Sequence, residues 1–455
     1  GPSENRIDFV FLGDGYTTDQ RNLFIEDATR MTQEMFQVPG TSLHSILPMV
    51  NVRAIFVPSS QSGIQTSDSN TTAFGLTRFG SQYRGMYTLN KESARRALSG
   101  LGDPINVNYP MIIGNDPYYG GLEGELTTST ASKTSGVIVL RHELGHNLMD
   151  VGEEYDNSDN YFGTNTSSNA NEVPWAHWIT DPSMKEEKSA ILLMDYAWYD
   201  LSQGPYTLNF TASGDYARYM MRFSLSGCNE DGAIKISVDG EELPNWTSKA
   251  TLDRFFYDEG RDNGFKAGAH TIVFSEAGPR PEGAPIRQLC SVQVIEFGDK
   301  DEFHNDAEYV GRFPTYGIDG VVYYRPSGET CIMRCMVSNV FCRVCKETLL
   351  LNLLRRVSLI DNITAKHDNG FGSVQVSLLP FAQFRAPGME VAGERYEVSW
   401  IVGGVERVDL KGILKLTDAA IEEGVEWWVV VKLVTPEIRK DDFEYTTSRA
   451  KIIWA

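Results

Sequence analysis

His142-Glu143-Leu144-Gly145-His146 places two histidines four residues apart with a glutamate between them. On a helix, residues four apart share a face, so both imidazoles can reach one metal ion. The glutamate between them can reach a water on that ion and take its proton. The pattern is that of a zinc hydrolase, with His142 and His146 as metal ligands and Glu143 as general base. The flanking residues support the helix, because Val137, Leu140, Leu144 and Leu148 recur at helical spacing and form an apolar face. Burying two histidines and a glutamate beside that face without a partner would be costly.

Such a site needs a third protein ligand. The continuation is Asn147-Leu148-Met149-Asp150-Val151-Gly152-Glu153-Glu154-Tyr155-Asp156. A straight helix cannot supply it, since Glu153 would lie about 10 Å along the axis from His146. The chain must turn back, and Gly152 is the position expected to turn it. Glu153 is the first candidate, with Glu154, Asp156 and His177 open. Tyr155, Tyr323 and Tyr324 are candidates to stabilise a tetrahedral intermediate. His177 could also act by hydrogen-bonding a ligand or the intermediate.

These residues resemble the IgA-peptidase family of metallopeptidases, a metzincin-related group. The family's H-E-x-G-H, followed by an acidic pair and tyrosine, is matched by His142, Glu143, Gly145, His146 and Glu153-Glu154-Tyr155. Other stretches match in order. They are Ile7 to Thr17, a strand ending in Asp14-Gly15-Tyr16; Tyr119-Gly120-Gly121; and Pro174-Trp175-Ala176-His177-Trp178. Tyr324-Arg325-Pro326, Cys331-Ile332-Met333-Arg334 and Phe341-Cys342-Arg343-Val344-Cys345 follow. The resemblance covers roughly residues 6–204 and 299–357. It implies zinc endopeptidase chemistry, makes Glu153 the counterpart of the metzincin third ligand, and makes Met333 a methionine turn beneath the metal. The chain departs from the family in having Asp150 where a turn glycine is expected. About ninety further residues also separate the zinc motif from Met333. The metzincin histidine position is occupied by Gly152.

The chain has 455 residues and a formal charge of −20, with 61 acidic and 41 basic residues. That balance argues against nucleic acid and anionic membrane surfaces. Apolar residues make up 41%, enough for packed cores, and the length implies two or three domains. No apolar run is long enough to span a membrane. Gly1-Pro2-Ser3 looks like a protease-cleavage scar, so the absence of a leader peptide means little. Of six cysteines, four follow C-x3-C-x6-C-x2-C at Cys331, Cys335, Cys342 and Cys345. They suit a disulfide in an oxidising compartment or a second, structural zinc site. Cys228 and Cys290 could pair. Sequons at Asn70, Asn165, Asn209, Asn245 and Asn362 are consistent with secretion.

The expected fold is α+β: a zincin-like catalytic domain with an inserted β-sandwich and a C-terminal immunoglobulin-like β-sandwich. Residues 1–204 and 299–357 form the catalytic part, 205–298 the insert and 358–455 the accessory domain. Asp19–Phe36 reads as a helix with Phe24, Ile25, Ala28, Met31 and Met35 inward. Residues 156–172 read as a rim loop, able to bind calcium through Asp156, Asp159 and asparagines. Trp246, Phe255, Phe256 and Tyr257 are core aromatics of the insert, or a glycan- or protein-binding face. The function expected is a secreted, cell-surface or periplasmic zinc endopeptidase acting on proteins or glycoproteins. The alternatives are a glycan- or host-protein-binding protein on the same scaffold, and a metal hydrolase acting on a non-peptide bond.

Overall fold

The computed structural model describes residues 1–454 except 67–71, 81, 103–104, 106, 245, 279, 281–284, 369, 421 and 423. The sequons Asn70 and Asn245 therefore lie outside the described residues. The chain is α+β, rich in sheet, with four α-helices among the described residues: α1 (Arg21–Phe36), α2 (Lys91–Ser99), α3 (Gly136–Met149) and α4 (Arg343–Leu354).

The first sheet orders its strands Val50–Ile55, Ile7–Asp14, Val107–Gly114, Thr127–Thr130 and Gly121–Leu122. Neighbours are parallel except the last pair, which is antiparallel. Ile7–Asp14 is buried throughout, as a strand covered on both faces should be. Its side chains alternate between two cores. Ile7, Phe9 and Phe11 join Met111, Ile113 and residues of α1 and α3 on one face. Leu12 joins Ile112, Phe74 and Ala94 of α2 on the other. On α1, Phe24, Ala28, Met31 and Met35 are buried as expected, but Ile25 is 40% exposed. It lies one residue off the 24, 28, 31, 35 stripe, about 100° around the axis.

Two sheets of the insert enclose a separate core. One orders Tyr206–Ala212, Gly268–Glu276, Ile234–Val238 and Glu241–Glu242; the other orders Phe255–Arg261, Arg218–Ser226, Gln288–Phe297 and Ser189–Asp195. Pairing with the insert thus begins at Ser189, earlier than residue 205. Phe223 is central to that core, with its ring within 6 Å of those of Trp246, Tyr257 and Phe274.

The C-terminal segment forms two further sheets. The first orders Ile360–Asp368, Phe371–Leu378 and Lys415–Ala420, and the second Val405–Glu406, Arg395–Val402, Trp427–Val434 and Thr447–Lys451. Val374, Val376, Val398, Trp400, Val429 and Val431 fill the space between them. This core is continuous with that of the catalytic part. Arg6 pairs with both carboxylate oxygens of Asp361, at 2.5 and 2.7 Å. Arg385 donates to the Ser45 carbonyl at 2.8 Å.

Candidate metal centre and active-site cleft

Helix α3 is buried on most sides, and His142 and His146 are 6% and 5% exposed. Its N-terminus is held from the insert, where Asp253 accepts hydrogen bonds from the hydroxyls of Ser132 (2.7 Å) and Ser135 (2.6 Å). Its C-terminus is ended by Asp150, with φ 55° in the left-handed region. The turn expected at Gly152 therefore falls two residues earlier, at a residue type that tolerates this conformation better than most. The backbone then runs extended beside residues 160–162, with Gly152 N donating to Phe162 O and Glu153 N to Asn160 O. A Cβ on Gly152 would sit 2.5 Å from Phe162 N, so this position needs glycine for close approach rather than for turning.

This path brings Glu153 back under the helix. Donor atoms of His142, His146 and Glu153 lie within 4.8 Å of one another, and all three side chains are buried. Each histidine is oriented from behind. Nδ1 of His142 donates to Ile332 O at 3.1 Å, and Nδ1 of His146 donates to Val151 O at 2.8 Å. Both Nε2 atoms then face the Glu153 carboxylate, from 3.3 and 3.2 Å. With each Nδ1 hydrogen committed to a carbonyl, a neutral imidazole turns its Nε2 lone pair to the carboxylate, and such a pairing calls for a proton or a metal cation between them. Glu153 Oε2 is buried and accepts no hydrogen bond, which fits a metal ligand.

The electrostatics show that the site draws positive charge, which a proton supplies when no metal does. Burial opposes charge on His142, yet Glu153 outweighs it and pulls the imidazole up to about 10. His146 is raised by the same carboxylate against its burial. Glu153 is disfavoured by burial but held at about 2 by the two histidines. Glu143 lies one residue along α3 from His142 and lines the cleft, and burial pushes its carboxyl upward. Tyr155 stacks near His142, ring centroids 6.5 Å apart, beside Glu153.

The cleft over these residues has a volume of about 340 Å³. One wall is the edge strand Gly121–Leu122, packed so closely on α3 that a Cβ at Gly121 would meet Val139 at 2.3 Å. The opposite wall comes from the insert and includes Met194, Tyr196, Arg254 and Phe256. Alternation along the strand explains how the insert serves both roles. Phe255 and Tyr257 pack into the sandwich, while Phe256 faces the cleft. Arg254 is 4% exposed and its guanidinium lies within 5 Å of the rings of Tyr119, Trp198 and Phe256. The alternating run 255–257 carried this signal, but not the identity of what covers its second face.

The other candidates lie elsewhere. Glu154 turns away from the histidines toward Cys331, Cys342 and Cys345. Burial, reinforced by the Cys331 thiol, pushes its carboxyl up to about 8. Asp156 is ion-paired with Arg334 at 2.6 Å and accepts from Tyr316 N at 2.9 Å. Asp156 is thus engaged by a guanidinium rather than turned to a calcium site. His177 is held by Glu347, which also accepts from Trp178. Tyr324 donates to Glu186 and Tyr323 to Asp319, away from the cleft lining. Met333 is buried beneath α3, its sulfur 2.9 Å from where a Cβ on Gly145 would stand. All six cysteines are free and buried, so neither the expected disulfide in the 331–345 cluster nor a Cys228–Cys290 bond is present. Asn165 is fully buried and donates to Gly152 O and Glu154, leaving no room for a glycan on the folded chain.

With this geometry in place, residues 1–198 match the family model described as IgA Peptidase M64. The similarity to that family covers 198 of the 455 residues. The match ends near the start of the insert, and the residues of the second half enter the site from outside it. Comparison with curated proteins gives no match. Among solved structures, a GH2 β-galacturonidase from Eisenbergiella tayi is similar at 10% identity over 55% of this chain and 35% of that one, TM-score 0.15. An FMN-binding β-glucuronidase from Facaelibacterium prausnitzii L2-6 is similar at 12% over 55% and 32%, TM-score 0.15. A β-glucuronidase from Ruminococcus gnavus is similar at 11% over 55% and 35%, TM-score 0.14. The chain spans about a third of the length of these proteins, and similarity at that level carries no argument about fold or activity.

Proposed function

We propose that this chain is a zinc-dependent endopeptidase acting on protein or glycoprotein substrates. The observation that carries the reading is the convergence of two backbone-anchored imidazoles and a carboxylate with one unsatisfied oxygen beneath an open cleft, with Glu143 on the same helix. Two histidines and one carboxylate form a donor set suited to zinc, the set used where a further position is kept for water or substrate. When bound there, zinc would lower the pKa of a coordinated water and polarise the scissile carbonyl. His142, His146 and Glu153 would hold it, their orientation fixed by Ile332 and Val151.

Glu143 accepts the proton of the attacking water and returns it to the leaving amine. Its burial favours the protonated state it needs for the second task. Tyr155, which lines the cleft beside His142, would donate a hydrogen bond to the developing oxyanion. The cleft lies open between the edge strand and the insert, which suits an extended chain more than a chain end. Met194, Tyr196 and Phe256 offer apolar contacts to substrate side chains. A zincin-like catalytic core and an immunoglobulin-like C-terminal sandwich complete the reading. A site of action outside the cytoplasm is part of it and rests on the family resemblance.

The test is cleavage of a proteome-derived peptide library read by mass spectrometry, comparing wild type with Glu143→Gln at equal zinc content. Internal cleavages present in wild type and lost in the variant are expected. No cleavage by zinc-loaded wild type, or the same cleavage by both proteins, would overturn the proposal.

A further inference from the structure

Glu153 and Glu154 sit on an extended segment, where successive side chains point to opposite sides. Glu153 turns to the histidines, and Glu154 turns to three cysteines. One donor atom from each of Glu154, Cys331, Cys342 and Cys345 lies within 4.8 Å of the others. Glu154, Cys331 and Cys345 are 0% exposed and Cys342 is 4% exposed. We propose that these four side chains bind a second metal ion of the thiolate-preferring class, zinc in the native protein, in a closed structural site.

Four observations converge on it. First, the geometry is nearly that of a tetrahedral site. Cys345 Sγ is 3.4 Å and Cys342 Sγ 4.0 Å from Glu154 Oε1. In a tetrahedron with a metal–sulfur bond of about 2.3 Å, neighbouring ligand atoms stand about 3.5–3.8 Å apart. Second, the spacing is apt. Cys342 is the N-cap of α4 and Cys345 lies in its first turn, so C-x2-C presents two sulfurs from one helix start, where the dipole favours thiolates. Cys331 comes from the methionine-turn loop.

Third, the carboxylate lacks a cation. Asn165 donates to Glu154 Oε1 at 3.1 Å and Ser327 to Oε2 at 2.9 Å, which fixes the group without neutralising it. The nearby guanidiniums are already engaged, Arg325 by Glu329 at 2.9 Å and Arg334 by Asp156 at 2.6 Å and Glu329 at 2.9 Å. A buried carboxylate among thiols is costly unless a cation joins it. Fourth, three sulfurs converge, so one disulfide would strand a thiol beside the carboxylate. The sequence suggested the four cysteines as a set, but Cys335 Sγ lies toward Asp258 Oδ2, 3.8 Å away, and is replaced by Glu154.

Binding would release the three thiol protons to solvent. The ion would pin together the segment after α3, the methionine turn and the start of α4. Its ligands adjoin the groups that shape the histidine cluster. Glu154 follows Glu153, and Cys331 precedes Ile332, whose carbonyl orients His142. The closed site is therefore a positioning device for the open one, though its existence does not depend on the catalytic reading.

The test uses the full chain carrying His142→Ala and His146→Ala, which empties the histidine cluster. Metal analysis should find about one zinc per chain still bound. Exchange with cobalt(II) should give the near-ultraviolet charge-transfer band of a cobalt–thiolate bond with the strong visible bands of a tetrahedral ion. Adding Cys345→Ser should remove or shift the thiolate band, whereas adding Cys335→Ser should leave both metal content and spectrum unchanged. Absence of metal in the double-histidine protein overturns the proposal even if the Cys345→Ser protein fails to fold. Titration of thiols in the unfolded, unreduced chain then separates the two rivals, giving six thiols for a packed thiol cluster and four for a disulfide.

Discussion

Two clusters of metal-ligand type lie back to back on either side of the segment that carries Glu153 and Glu154, and they differ in almost every respect but burial. The His142–His146–Glu153 cluster lines a cleft, has Glu143 and Tyr155 beside it, and is reached by residues of the insert. The Glu154–Cys331–Cys342–Cys345 cluster is enclosed and has no base and no opening among the described residues. On the proposed reading the first would keep a position free for substrate and the second would use four protein ligands, the usual division between catalytic and structural zinc. A single extended backbone step separates them. The acidic pair is thus one carboxylate for each cluster rather than two chances at the same ligand.

The largest expected effect comes from removing the base that only the open cluster has. Glu143→Gln should lower kcat/KM for peptide cleavage by about 10²–10⁴-fold with zinc content and denaturant midpoint unchanged. A parallel loss of zinc would break the distinction between base and ligand. Next is Glu154→Gln, which removes charge from the closed cluster alone. It should cost about 3–5 kcal/mol of stability in denaturant unfolding, as breaking a buried charged site does, while the chain that remains folded still cleaves peptides. Tyr155→Phe should lower kcat about 10–100-fold with KM little changed, and Tyr324→Phe should change neither, since only Tyr155 borders the open cluster. The smallest effect is at the turn that separates α3 from the acidic pair. Asp150→Gly should stabilise the chain by up to about 1 kcal/mol, because glycine adopts φ 55° without the Cβ penalty.

Much of the open cluster was legible because helical spacing is local. His142, Glu143 and His146 needed only a 3.6-residue period, and the apolar stripe of Val137, Leu140, Leu144 and Leu148 gave the helix its buried face. The need to turn back made Glu153 the first candidate but left Glu154, Asp156 and His177 open. The site of the turn did not, because Gly152 advertises flexibility while Asp150 adopts the left-handed conformation. Cysteine spacing pointed to a metal-type cluster but not to its membership, since only the tertiary path places Glu154 inside and Cys335 outside. His177 looked like a ligand between two tryptophans, but the carboxylate that holds it, Glu347, comes from α4, 170 residues away. The insert was legible as alternating strands with turns between them. That its outer face would wall the cleft was not, because alternation shows that a strand has two faces and not what each one meets.

The measurement that bears most directly on this account follows zinc content and peptide cleavage together as 1,10-phenanthroline is raised against the native protein. The account predicts that cleavage falls in step with loss of about one zinc per chain from the open cluster, while about one more stays until the protein unfolds. Cleavage that survives the loss of the first zinc would contradict it, as would the departure of both ions at one chelator concentration.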